Sequence, residues 1–240
     1  MKGKNRREWG EITGYDGSEA QLQAIRNLAS LPIDFTCSMV ITPENVQSLC
    51  ESVQIAHDNG AKQFSFTFII DNDDTKEKDL AYLQKHDPIK LVSDFISQID
   101  KLGAITDDWW VEYSFPMCMY TEEQLKLLKG RLATPCQIHL KNAVTFNTKM
   151  ELLPCDMYIY QRLGKFGRVF SSYQGFLSLT ESANYSKTMD EIRRLPSDEC
   201  TTCEHFGVCY GGCPVLWKNY SFSALKEFKA KAHHSGVSGE

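Results

Sequence analysis

The stretch Cys200-Thr-Thr-Cys203-Glu-His-Phe-Gly-Val-Cys209-Tyr-Gly-Gly-Cys213-Pro, spaced C-x2-C-x5-C-x3-C, constrains this chain more than any other feature. Four soft sulfur donors packed into fourteen residues suit a bound zinc or an iron–sulfur cluster. The plain competing reading is a set of buried structural thiols or disulfides. The basic start Met-Lys-Gly-Lys-Asn-Arg-Arg-Glu has no apolar stretch behind it, so no secretory signal is expected. A cytoplasmic setting follows, in which disulfides are rare and clustered cysteines read as metal ligands. The basic start itself reads as a tail or a truncation scar rather than a DNA-binding arm.

Composition narrows the function further. A net charge of −5 argues against nonspecific nucleic-acid binding as the main role. Hydrophobic residues at 42%, with 11% aromatics, are enough for a real core. No run approaches the roughly 18 apolar residues of a membrane span. With 240 residues the chain is one large domain or two small ones.

The first half alternates between helical and strand periodicity. Leu22, Ile25 and Leu28 mark a helix over about 19–31, and 33–41 is β-rich. Thr42-Pro43 reads as an N-cap and first helical position, followed by Val46, Leu49, Val53 and Ala56 at helical spacing. Asn59-Gly60 ends that helix. Phe64 to Ile70 reads as a strand, Pro88 to Gly103 as a helix and Trp109 to Phe115 as a third strand. Such alternation implies a parallel sheet joined by right-handed crossovers. Three strands close no barrel, and a parallel sheet normally needs both faces and both edges covered, so the half-sheet is incomplete as encoded: partner elements come from elsewhere or the chain is a fragment.

Beyond Tyr120 the pattern changes. Thr121-Glu-Glu-Gln124 matches a capping box for a short helix ending at Gly130. The runs 137–140 and 144–153 read as a hairpin around Lys141-Asn142. A glycine- and serine-rich stretch with little periodicity follows. Next come a helix over 187–195, the cysteine block and a polar tail that reads as frayed.

The layout resembles the C-terminal two-thirds of a radical S-adenosylmethionine (SAM) enzyme with a SPASM extension, a family rich in peptide maturases. The resemblance spans roughly residues 12–220. Gly14-Tyr-Asp16-Gly17 is similar to the loop after the fourth barrel strand, Val40 to Asn45 to the fifth strand entering its helix, and Phe64 to Ile70 to the sixth strand. The cysteine block matches the SPASM pattern residue for residue, including Gly211-Gly212 and Pro214. Cys136 and Cys155 stand at the spacing of the upstream C-x9–15-G-x4-C element, with Met150 where the family has its glycine. The resemblance implies an α/β fold: the C-terminal half of a partial (β/α) barrel over 1–116, and a loop-rich, cysteine-ligated SPASM domain over 117–240. It also implies [4Fe–4S] auxiliary clusters. Cys136, Cys155 and Cys213 would hold the one nearer the active site, and Cys200, Cys203 and Cys209 the outer one. Gly211 and Gly212 would let backbone approach the sulfurs and offer N–H donors to them.

The chain departs from the family in two further ways. It has no C-x3-C-x2-C signature, whose thiolates hold the cluster that reduces SAM, and no Gly-Gly-Glu segment. It also has no cysteine after Cys213, so the family's last ligand is missing; His233 and His234 fall near that distance. SAM chemistry is therefore expected only if the missing catalytic half is supplied. The expected partners are a ribosomally made precursor peptide and a chain completing the barrel. The alternatives are a non-functional fragment, a non-catalytic relative that binds a peptide or a partner maturase, and a zinc-binding interaction module.

Other candidates have plain alternatives. Cys37 and Cys50 read as core residues. Cys118, at a strand end, is open between an added ligand, a catalytic thiol and neither. Asp71-Asn-Asp-Asp74 reads as a solvated loop over a cation or amine site. His139 alternates with apolar residues and has no evident partner. Trp109, Trp110 and the tyrosines of 158–173 suit a peptide groove or ordinary packing.

Overall fold

The computed structural model describes residues 3–70, 87–112, 115–133, 136–219 and 221–235. The 71–74 acidic run lies outside the described residues, as do the side chains of His233 and His234.

The fold is mixed α/β, with a parallel three-stranded sheet of order β1-β2-β3 formed by Thr36–Ile41, Gln63–Phe68 and Trp109–Val111. Met39 pairs with Phe66 and Ile41 with Phe68, while Phe66 pairs with Val111. Leu132 adds a single parallel bridge to Val111 beyond β3.

The two faces of the sheet differ in chemistry. Phe64, Phe66 and Phe68 alternate along β2 onto one face, and all are buried. Phe66 and Phe68 meet Phe95 at ring separations of 5.7 and 5.4 Å. Phe95 belongs to the helix Pro88–Ile96 (α4), which Asp87 caps by accepting the Ile89 and Lys90 amides. The opposite face presents Ser38 and Ser65, whose hydroxyls lie 2.7 Å apart, and the half-buried Thr67. On that face Val40 pairs with Thr67 and Trp110 with Ser65, and Ser65 is fully buried, so small polar groups and larger apolar ones share it.

Several elements differ from the sequence expectations. The N-terminal tail is a helix, Arg6–Thr13 (α1), capped by Asn5 and anchored by the buried Trp9. Ser48 donates to Glu8 at 2.5 Å and ties α1 to the start of the next layer. Gly14 to Gly17 therefore links α1 to Ser18–Ala29 (α2) and does not follow a strand. Thr42 caps no helix: its amide donates to Asn45, and Leu49–Asp58 (α3) begins seven residues later after a 3-10 turn over Val46–Ser48. The predicted helix 88–103 is two helices, α4 and Ile99–Gly103 (α5).

After β3 come a 3-10 turn, Met117–Met119, and Glu122–Leu127 (α6), whose capping box has both reciprocal bonds between Thr121 and Gln124. Gln137–Leu140 is a short helix (α7), not a strand, and Lys141 ends it in the left-handed conformation. The hairpin lies further on: Thr145–Phe146 (β4) pairs antiparallel with Glu151–Leu153 (β5), and Gly164–Lys165 (β6) completes a second small sheet. Next come Tyr173–Thr180 (α8), inside the stretch read as irregular, and Ala183–Ile192 (α9). The chain ends with Phe206–Cys209 (α10), Leu216–Asn219 (α11) and Phe222–Ser235 (α12). The described part of the tail, to Ser235, is a helix with Leu225 buried in the main core.

Two apolar cores result. The large one holds the sheet and α2–α5, and takes in Met119, Tyr120, Leu128, Leu216 and Leu225. The small one consists of Ile138, Tyr158, Met189, Cys213 and Val215, with Cys136 and Cys155 packed against it. The other buried apolar residues of 136–213 are Leu152, Leu153 and Phe170, so this half has little apolar mass beside the large core.

Candidate metal centre

Each of the six cysteines singled out by spacing opens a turn closed by the amide three residues on. The Cys136 carbonyl accepts from His139 at 2.9 Å, Cys155 from Tyr158 at 3.1 Å and Cys213 from Leu216 at 3.0 Å. Cys200 accepts from Cys203 at 3.4 Å, Cys203 from Phe206 at 3.0 Å and Cys209 from Gly212 at 2.8 Å. A turn headed by cysteine aims free N–H groups at the thiolate, which favours a charged sulfur.

The thiols fall into two groups. Cys136 precedes α7, Cys155 follows β5, and Cys213 is buried in the small core between them. Burial pushes the Cys213 thiol up to about 12, and the charges of Cys136 and Cys155 add to the shift. Cys155 is pushed up to about 11, again by burial first. Cys136 rises for the same reason, opposed by the amides of Ile138 and His139. The amides of Met157 and Tyr158 oppose the shift at Cys155, and those of Val215 and Leu216 at Cys213. With nothing bound, three thiols in this apolar pocket keep their protons, and a bound cation would let them ionise by balancing the charge.

The second group, Cys200, Cys203 and Cys209, lines a separate cavity of about 190 Å³. Cys200 sits in the 3-10 turn Asp198–Thr202, Cys203 just after it, and Cys209 ends α10. Burial raises the Cys200 thiol, with contributions from Cys209 and Cys203. The Met117 amide donates to Cys209 Sγ at 3.3 Å. Cys118 lines the same cavity, between Pro116-Met117 and the aromatic wall of Trp217 and Phe222. Although Cys118 as a residue is exposed, its thiol is desolvated and pushed up to about 11, with Cys209 and Cys200 adding to the effect.

The turn between Cys209 and Cys213 separates the groups. Tyr210, Gly211 and Gly212 take φ of 49°, 81° and 76°, three left-handed residues in succession. A Cβ on Gly211 would lie 2.9 Å from Pro196, and one on Gly212 would lie 2.8 Å from Pro116. The glycines thus let two prolines approach the backbone. The polar groups flanking this turn are used within the protein: the Gly212 amide goes to the Cys209 carbonyl, and the Gly211 carbonyl accepts from Trp217 Nε1 at 2.6 Å. The sulfur-directed amide comes instead from Met117, which the spacing did not reveal.

The donor spacing bears on which group fits. Tetrahedral zinc, with bonds of about 2.3 Å, holds its thiolates roughly 3.8 Å apart. Among the described residues no three cysteine sulfurs lie within 4.8 Å of one another. A multi-iron cluster attaches each thiolate to a different iron and so holds the sulfurs further apart. An all-sulfur donor set suits an iron–sulfur cluster or a zinc ion by its chemistry.

The remaining candidates have structural roles. Cys37 and Cys50 are half-buried against the large core, and Cys50 contacts the Gln98 carbonyl. His139 lies on α7 and not on a strand, with its ring stacked on Tyr210 at 5.6 Å and its pKa lowered by burial. Trp109 is buried beneath the Arg131 guanidinium, 4.6 Å from the ring centre, and Tyr158 lies beneath Lys218 at 4.0 Å. Glu122, Glu204 and His205 bring ligand atoms within 4.8 Å of one another, a cluster invisible to spacing; its carboxylates are exposed, as surface acids commonly are without an ion.

No helix among the described residues is long and apolar enough to cross a membrane. Comparison of the chain with protein-family models, curated proteins and solved structures produced no match.

Proposed function

We propose that this chain carries iron–sulfur clusters as the auxiliary-cluster portion of a radical SAM/SPASM-type peptide maturase. The observation that supports the reading is the arrangement of the six thiols: each heads a turn, and the left-handed turn at 210–212 divides them three and three. When bound, such clusters supply one-electron transfer or an anchoring iron. The chain's own residues set the conditions. The small core around Cys213 excludes water on one side, and the Trp217–Phe222 wall does so on the other. Backbone amides near the sulfurs stabilise negative charge and tune potential. A cleft of about 500 Å³ beside Cys155, bordered by Asp190 and Arg193, offers room for an extended peptide. A partner completing the barrel would add strands along the β1 edge of the sheet.

Anaerobic purification, followed by iron, sulfide and zinc analysis, tests this. Brown protein with iron and acid-labile sulfide in equal amounts is the expected result. Colourless protein with stoichiometric zinc overturns it in favour of an interaction module. Lacking the C-x3-C-x2-C signature, the purified chain is expected to leave SAM intact under reductant, and turnover would show that the catalytic half is not needed.

A further inference from the structure

We infer that Cys118 completes the outer site as its fourth thiolate, joining Cys200, Cys203 and Cys209. The inference rests on the proposed cluster-binding role and names a ligand that the C-x2-C-x5-C-x3-C block does not contain. All four thiols line the one cavity. The segment carrying Cys118 comes from the sheet layer, far from the block in sequence, so its presence there needs a cause.

Three independent contacts hold it in place. The Met117 amide donates to Cys209 Sγ at 3.3 Å, which sets the neighbouring Cys118 against the same group. The Pro116 ring occupies the space that a Cβ on Gly212 would fill. From the other side, Lys229 Nζ of α12 donates to the carbonyls of Cys118 at 3.0 Å and Tyr120 at 3.1 Å. The same helix sends Lys226 to Glu199 at 2.7 Å, on the cavity rim beside Cys200. Helix α12 therefore bridges the two segments that supply the thiols.

Four sulfurs at one cavity are what a cubane with four irons requires, one per iron. On binding, the Cys118 thiol loses its proton to solvent and its thiolate forms the iron bond. His205 also lines the cavity and is the competing ligand.

Mass-mapped alkylation of the unmutated chain, before and after anaerobic cluster reconstitution, tests the assignment without a variant. Cys118 is expected to label in the cluster-free chain and to become protected with Cys200, Cys203 and Cys209. Equal labelling in both states overturns the inference. Iron content of Cys118→Ser, Cys209→Ser and His205→Ala adds a second readout, with circular dichroism checking the fold. Cys118→Ser should lose the same iron as Cys209→Ser, about half the total, while His205→Ala keeps it all. Full iron in Cys118→Ser, or loss in His205→Ala alone, sinks the assignment while leaving the cluster-binding role intact. A wild-type chain that takes up no iron overturns both.

Discussion

Tyr210, Gly211 and Gly212 hold three successive left-handed backbone conformations, and only two of the three are glycine. A left-handed residue with a Cβ costs about 1–2 kcal/mol. Gly212→Ala would add that cost to a 2.8 Å clash with the buried Pro116. We expect a stability loss of about 2–5 kcal/mol in denaturant titrations. Iron from the outer site should also reach a chelator faster, because Pro116 leads directly to Cys118. Met150 presents the converse case. It takes φ 58°, a conformation that favours glycine, and Asn147 supports the turn by accepting the amides of Lys149 and Glu151. Met150→Gly is expected to raise stability by about 0.5 kcal/mol, the left-handed strain relieved less the entropy glycine adds to the unfolded chain. An unchanged or lowered unfolding midpoint would contradict this. The glycine pattern that flagged Met150 was readable in the sequence; the Asn147 scaffold that makes Met150 tolerable was not, since it depends on side-chain bonds closing the hairpin.

At the scale of elements, β2 is the member on which the sheet depends. Phe66 is fully buried and meets both Phe95 and Trp109. Phe66→Ala should destabilise the chain by about 3–5 kcal/mol, as large-to-small changes in a packed core do. A thermal melt shifted by only a degree or two would show that the aromatic face is less tightly packed. The strands β1–β3, the α6 capping box and α9 were legible because their periodicity and caps are local. Helices α1, α7 and α8 were not. For α1 a single buried tryptophan supplies the docking, too little for a periodic signal. The segment 137–140 alternates apolar and polar residues as a strand does, yet Cys136 starts a helical turn there. In α8 no residue is fully buried, so no apolar stripe marks it.

Across the whole molecule the two cores predict two responses. The small core has five buried residues, so the proposed clusters would supply much of what holds the segments around it together. Chelation under reducing conditions should therefore expose amides of those segments to hydrogen exchange while β1–β3 stay protected. Uniform loss of protection would show a single cooperative unit. The metal-free chain should also weaken at high pH. Burial raises Cys213 to about 12, and Cys155 and Cys118 to about 11, from an ordinary 9.0. The protonated folded form is thus favoured. Its stabilisation is full below the unfolded pKa and falls as pH rises from about 9 through 11–12. Melting temperatures of the chelated chain at pH 8 and pH 10, on the order of one unit either side of that onset, should differ in that sense. A higher value at pH 10 would contradict the burial of these thiols.

By itself the sequence determined the identity of the thiols, their spacing and the alternation of strand and helix in the first half. These depend on residue type and local period, which neighbours in the chain specify. Only the tertiary structure decided that Cys118 reaches the cavity of Cys200, Cys203 and Cys209, that the Gly211-Gly212 turn is shaped by Pro196 and Pro116, and that α12 closes over both. Those outcomes rest on contacts between segments up to 111 residues apart, such as Lys229 to Cys118. Burial and cross-chain packing set them, and no local pattern encodes either.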